Sequence, residues 1–487
     1  EAKGPMGIVL GADCCAAERS LPQAVAYGFD FLSLYGHHAS PSVLSAAGIS
    51  KMIAPDYTWA DWEIEGLQET GADILEASVM HPDSYGQPLS GRELIRYRHL
   101  ARLSPLPIVV PTQRAVRPDE VCALRACGVS GLMIGAVVTG KDACSIGSAV
   151  AAFRKSIDEM RKRPLVILPL DSRPCTREFP AQLAQSAGIS ACVPPLEVMD
   201  WYRTPSDFCR IAAWLEEACA GAGALICSLD QLAYGGLLAS RCMEVPETQA
   251  LRRAAFLRRL KQKYPALDIY LSSVIMRTTV STLKQEDQVW WEKVALYSQL
   301  AAQPGCEAAR RLAQLEAQIP SHVLQTFLAA RGRNHQVNRE AVALLAEGIV
   351  KQVCFLQEDS APQGMHRAEQ QQLQALAEAQ GVSEQVSIHC GTDECACALV
   401  GCLAAQRQAG GPALRLYVEW LAGDMQFTAR YEDRPFAENL DAYLKTCRIM
   451  RVQSPKDAQA VLAVYAPSGP QMDLAMAPED AVCAYTP

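Results

Sequence analysis

The sequence predicts an α/β protein built on parallel sheets. Short apolar runs rich in branched residues alternate with segments of helical spacing along most of the chain. The runs are continuously apolar, as strands covered on both faces are. Several stop on a charged residue or a glycine turn, which is where parallel-sheet proteins hold their chemistry. The clearest is Ala224–Arg241, ALICSLDQLAYGGLLASR. Its strand ends on Asp230, a Gly-Gly turn follows, and a second apolar segment closes on Arg241. Strands ending on Asp171, Arg277, Glu358-Asp359 and Asp393-Glu394 repeat the pattern, so one site is expected to collect polar groups from many strands.

Composition bounds the rest. With 487 residues, 49% apolar and 20% charged, the chain is expected to form two or three globular domains. A net charge of −8 without a basic run argues against a nucleic-acid partner. No apolar stretch reaches the roughly 18 residues needed to cross a bilayer, so no membrane partner is expected. The 19 cysteines are odd in number and scattered, which suits free thiols in a reducing cytoplasm. The chain starts on Glu1 and stops abruptly at AVCAYTP, so more sequence is expected beyond both ends.

The first part, residues 1–160, has a strand-then-helix rhythm. Strands are expected at Gly7–Gly11, Phe29–Tyr35, Ala72–Ala77, Pro107–Val110 and Gly131–Val138. The run PIVVPTQRAVRPDEVCALRACGVSGLMIGAVVTG leads a strand into Thr112-Gln113-Arg114, then a helix, then a strand that reaches Gly135. Residues 105–157 resemble the last two units of phosphate-binding (β/α) barrels, such as the sugar-phosphate epimerases. That resemblance implies a partial TIM-like barrel with Thr112 and Gly135 near a phosphate. Five strands are visible where a closed barrel has eight. Glu76, His37 and His38 are strand-end acid/base candidates, although paired histidines in a loop are more often plain surface.

Arg161–Arg163 followed by Pro164 breaks the helix and marks the expected boundary. The second part, residues 165–487, opens with Leu165–Leu170 running into Asp171-Ser172-Arg173, where Ser172 or Thr176 is expected to cap the next helix. Further strands are expected at Ala191–Val193, Ala224–Asp230, Asp268–Met276, Val353–Leu356, Val386–His389, Leu414–Trp420 and Val461–Tyr465. Residues of about 285–335 look like a helical insertion, and RGRNHQVNRE is expected to start a helix near Asn338. Seven or eight strands suit either a second barrel or a large doubly wound sheet.

Six motifs in this part occur together: LPLDSRPCTREFP, SLDQLAYGGLLASR, SVIMR, RGRNHQVNRE, LQEDSAPQG and GTDE. In this order they resemble a bacterial domain-of-unknown-function family, number 4127, from Leu165 to near the C-terminus. The family pattern carries two aspartates where this chain has Glu358-Asp359, which keeps the charge and lengthens one side chain. The resemblance implies a fold and a site without a reaction.

The residues themselves suggest carboxylate chemistry on a sugar. Asp171, Asp230, Glu358, Asp359, Asp393 and Glu394 are the catalytic candidates. A glycosidase needs one protonated and one ionised carboxyl group, roughly 5–5.5 Å apart for retention and roughly 6.5–9.5 Å for inversion. Crowding of like charges supplies the acid. Arg173, Arg241 and Arg277 would offset the charge and hold substrate, with Tyr234 and Trp290 stacking on a ring and Asn334 completing the binding set. Any single carboxylate could instead cap a helix or hold a loop. The expected activity is a glycoside hydrolase fused to a sugar-phosphate-binding barrel. It would act on a small sugar or sugar phosphate without a cofactor, with homo-oligomer formation left open. The rivals are a Mg2+- or Mn2+-dependent phosphosugar enzyme, with His335, His366 or His389 among the ligands, and a non-catalytic sugar-binding protein. Zinc is disfavoured: the His389–Cys397 run holds no C-x₂-C pair, and Cys395 and Cys397 would diverge by about 200° on a helix.

Overall fold

The structure, a computed structural model, describes residues 4–11, 13–161, 163–280, 289–409, 414–422 and 424–465. It divides into two compact units, Glu1–Lys162 and Arg163–Pro487. Among the described residues no helix is long and apolar enough to cross a membrane, and the cysteines are free thiols.

The first unit holds six strands: β1 (Gly7–Val9), β2 (Phe31–Tyr35), β3 (Ser50–Ala54), β4 (Ile74–Glu76), β5 (Ile108–Pro111) and β6 (Gly131–Met133). Each pairs in parallel with its sequence neighbour, in the order β1-β2-β3-β4-β5-β6. This is the winding of a (β/α) barrel, here a curled half-barrel of six strands. Leu32, Ile53, Leu75, Ile108 and Val110 fill its core. The sequence reading lacks β3, whose buried part is only Met52-Ile53-Ala54. The strand starts on the polar pair Ser50-Lys51, which leaves an apolar run of only three residues to read. The reading of Gly131–Val138 as one strand is also corrected. The strand ends at Met133, and Ala136–Thr139 is a single helical turn.

The second unit is doubly wound. Its strands are β7 (Leu165–Leu168), β8 (Ala191–Cys192), β9 (Ala224–Ser228), β10 (Asp268–Ile275), β11 (Gln352–Gln357) and β12 (Val386–Cys390). All are parallel, in the order β8-β7-β9-β10-β11-β12. Side chains alternate between two cores, as the period of a strand dictates. Val166, Leu168, Leu225, Cys227, Leu271 and Phe355 enter one. Leu165, Ile167, Ile226, Val274 and Leu356 enter the other. Both faces are therefore covered, which is why these strands read as unbroken apolar runs.

Two expectations about this unit change. The segments near Leu414–Trp420 and Val461–Tyr465 do not extend the main sheet. They form β13 (Arg415–Ala422) and β15 (Ala460–Tyr465), which with β14 (Met450–Val452) make a separate parallel sheet ordered β14-β13-β15. RGRNHQVNRE does not open a helix either; it lies in the middle of the 26-residue helix Ser321–Ala346. Its Arg331, Arg333, Asn334 and Asn338 are buried because they serve the neighbouring backbone. Asn338 donates to the Val274 carbonyl at 3.1 Å and accepts from Ser273 Oγ at 2.6 Å. The helices Trp291–Ala301 and Cys306–Glu316 precede it and pack in a cluster with Val294, Leu315 and Phe327. The start of the expected insertion, at Gln285, lies outside the described residues.

Candidate active site

Strand order reverses between β7 and β9: the chain goes from β7 out to β8, then back across to β9. In open α/β sheets ligands bind outside the carboxyl ends of the strands at this switch point. A cavity of about 420 Å³ lies there, lined from three strand ends.

The loop after β7 supplies Asp171, Ser172 and Arg173. Asp171 is buried, and its Oδ1 accepts from Thr176 Oγ1 at 2.7 Å and from the Arg173 amide at 3.1 Å. Thr176 is thus tied to Asp171, and Arg173 itself occupies the N-cap position. The Arg173 guanidinium spans two carboxylates, 2.7 Å from Asp171 and 2.6 Å from Asp393.

The loop after β8 supplies Asp200, Trp201 and Tyr202. Trp201 and Thr204 exchange backbone hydrogen bonds, both 2.9 Å, across a tight turn. Tyr202 sits in that turn at φ 51°, a left-handed conformation that costs a bulky residue. Both aromatic rings are largely exposed, at 73% and 69%. Asp200 is buried, and its carboxyl is pushed up to about 7, first by burial and then by the negative charge of Asp171.

The segment after β9 supplies Leu237, Leu238 and Arg241. Its two glycines both have positive φ, 94° and 128°. A Cβ on Gly235 would lie 2.8 Å from the Ser206 carbonyl, and one on Gly236 would lie 3.2 Å from the Asp200 carboxyl carbon. The Gly-Gly turn is therefore what lets this segment close against Asp200. Arg333 donates to the carbonyls of Ser240, Cys242 and Val245, and Asn334 donates to Ser240 at 2.9 Å. Asn334 thus acts by holding the turn that carries Arg241.

Guanidiniums stitch the remaining strand ends together. Arg241, from β9, pairs with Glu358, from β11. Arg277, from β10, pairs with Asp359 at 2.5 Å. Burial, reinforced by the charge of Arg277, holds Arg241 down to about 9. Glu394 accepts from the Tyr443 hydroxyl.

Of the residues expected at the site, Asp171, Arg173 and Arg241 line the cavity, and Asp393, Glu358, Asp359 and Arg277 are joined to the strand ends by the ion pairs above. Asp230 is buried off the cavity wall, with Oδ2 accepting from the Val274 amide at 2.8 Å. Burial pushes it up to about 7, opposed by that N–H. Tyr234 is also buried, with the Arg333 guanidinium 4.3 Å above its ring. Trp290 packs against the helical cluster. In the first unit, the Thr112 hydroxyl accepts from the Gly135 amide at 2.8 Å, so each takes up a group that a phosphate would use. Glu76 is buried there beside Ser33, 2.6 Å away, and burial raises its carboxyl. Among the described residues no group of three or more His, Cys, Asp or Glu could hold a metal ion. His366 and His389 are fully buried in the second unit.

Sequence reasoning missed Asp200 together with Trp201 and Tyr202. Their strand, β8, has two residues and so no periodicity to rank its end. The available signal was a carboxylate followed by two aromatics in the connection between two strands.

The second unit is thus a doubly wound α/β domain with an acid-lined cavity at its switch point. The chain belongs to the family described as "Protein of unknown function (DUF4127)", whose model matches residues 165–483. No curated protein matches the chain. Among solved structures it is similar to FabK from Thermotoga maritima, at 13% identity and a TM-score of 0.23, over 28% of this chain and 43% of that one. A likeness at that score carries no information about activity.

Proposed function

We propose that the second unit is a glycoside hydrolase whose site is the switch-point cavity, with Asp200 as proton donor and Asp171 as its partner carboxylate. The observation that carries this is a pair of unlike carboxyl groups on one cavity. Among the described residues Asp200 forms no ion pair, and burial pushes it up to about 7, while Asp171 is bound to a guanidinium. A carboxyl raised by burial beside one held by a guanidinium is an arrangement that can divide the acid and base roles. Trp201 and Tyr202 at the cavity supply flat apolar faces of the kind that pack against sugar rings. In the reaction Asp200 gives its proton to the glycosidic oxygen as that bond to the anomeric carbon breaks. Asp171 acts on the other side, as base toward water or as nucleophile.

The test is a screen of the full chain against chromogenic glycosides and sugar phosphates, with and without chelator, alongside Asp200→Asn. Chelator-resistant turnover of a glycoside, lost in the variant for substrates whose leaving group needs a proton, supports the reading. Turnover of sugar phosphates abolished by chelator supports metal-dependent phosphosugar chemistry instead. Stoichiometric sugar binding without turnover supports a binding protein.

A further inference from the structure

A fully buried polar side chain next to the cavity is Gln231, 1% exposed, on the helix Leu229–Tyr234. Its amide has one orientation that pairs every atom: the oxygen accepts from Ser206 Oγ at 2.7 Å, and the nitrogen donates to the Leu170 carbonyl at 3.1 Å and to Asp200 Oδ1 at 3.2 Å. Ser206 is itself fixed, because its amide donates to the Gly235 carbonyl at 3.0 Å. Ser172, which lines the cavity, donates its hydroxyl to the other Asp200 oxygen, Oδ2, at 3.4 Å, and a hydroxyl, unlike an amide N–H, can turn to accept once that oxygen is protonated.

We infer that Gln231 is the positioning residue for Asp200, donating its N–H to Oδ1 so that the acid proton is carried on Oδ2, the oxygen on the side of Ser172 and the cavity. The chemistry follows from donor and acceptor counting. An oxygen that receives an amide N–H in a buried site has no room for a proton of its own pointing at that donor, so a protonated Asp200 carries its hydrogen on the other oxygen. Ser206 orients the amide, and the glycine at 236 leaves space for the carboxyl group. The motif SLDQLAYGGLLASR would then exist to hold a residue that lies outside it. The inference rests on Asp200 being the proton donor, but its test does not require turnover.

The charged and titratable groups that face Asp200 across the cavity are Asp171 with its partner Arg173, Arg241 on the segment after β9, and Tyr202 on its own loop. None of them is altered in the test. In the full chain, protonation of Asp200 is followed by carbodiimide-directed amine labelling across pH, with the labelled peptide read by mass spectrometry. Gln231→Leu removes the N–H donor that favours the ionised form. The midpoint for Asp200 is expected to rise by about one unit or more. Ser206→Ala keeps Gln231 but frees its amide, and is expected to give a smaller rise in the same direction. It also serves if Gln231→Leu does not fold. Midpoints unchanged from the parent in the folded variants would overturn the role of Gln231. A shifted midpoint in a protein that hydrolyses no glycoside would leave the positioning role standing and remove the hydrolase reading.

Discussion

The loop after β8 and the helix after β9 each carry an aspartate that burial pushes up to about 7, and the two differ in almost everything else. Asp230 is 2% exposed, off the cavity, and accepts a backbone N–H from β10. Asp200 is 6% exposed, on the cavity wall, and faces the charge of Asp171. The same shift therefore arises once from a carboxyl that braces the sheet and once from a carboxyl that can meet a ligand. A perturbed carboxyl marks a site only when a cavity reaches it.

The comparison can be broken most directly by substitution. Asp200→Asn is expected to lower kcat/KM by about 10²–10⁴, the usual share of general acid catalysis, while the melting temperature stays within a few degrees. Asp230→Ala is expected to do the reverse. It leaves the Val274 amide buried without its acceptor, at a cost of about 1–3 kcal/mol, and lowers the urea midpoint with much less effect on kcat in the folded fraction. Equal effects of the two substitutions on both measurements would erase the distinction.

pH sharpens it. Both folded carboxyls stand at about 7, above the roughly 3.9 of an unfolded aspartate. Between those values the native state binds more protons than the unfolded state, so stability falls as pH rises. Their contribution is complete below about pH 4 and is lost on the way to about pH 7. Melting temperature followed across this window should decline less steeply in Asp230→Asn than in the parent protein. The smallest expected effect is at the rim. Trp201→Ala, at an exposed side chain, should raise KM several-fold and leave both kcat and the melting temperature near those of the parent.

Much of this architecture was legible in the sequence because buried parallel strands announce themselves. Leu165–Leu168 is apolar throughout and Ala224–Ser228 at every position but its last, and the segments that follow them pointed to Asp171, Arg173 and Arg241, which line one cavity. Strand order was not legible. Nothing local in Ala191–Cys192 says that this two-residue strand lies on the far side of β7, and that placement is what creates the switch point and brings Asp200 to it. The role of RGRNHQVNRE was hidden for a related reason. A run of polar residues inside a helix looks like a solvated start, whereas Arg333 and Asn334 are buried to satisfy carbonyls nearly a hundred positions earlier in the chain.

The central claim, that Asp200 delivers the proton at the switch-point cavity, is tested most directly by leaving-group dependence. Asp200→Asn should lose turnover on glycosides with poor, alkyl-type leaving groups and keep most of it on 2,4-dinitrophenyl glycosides, whose departing oxygen needs no proton. An equal loss on both substrate types, or no loss on either, would contradict it.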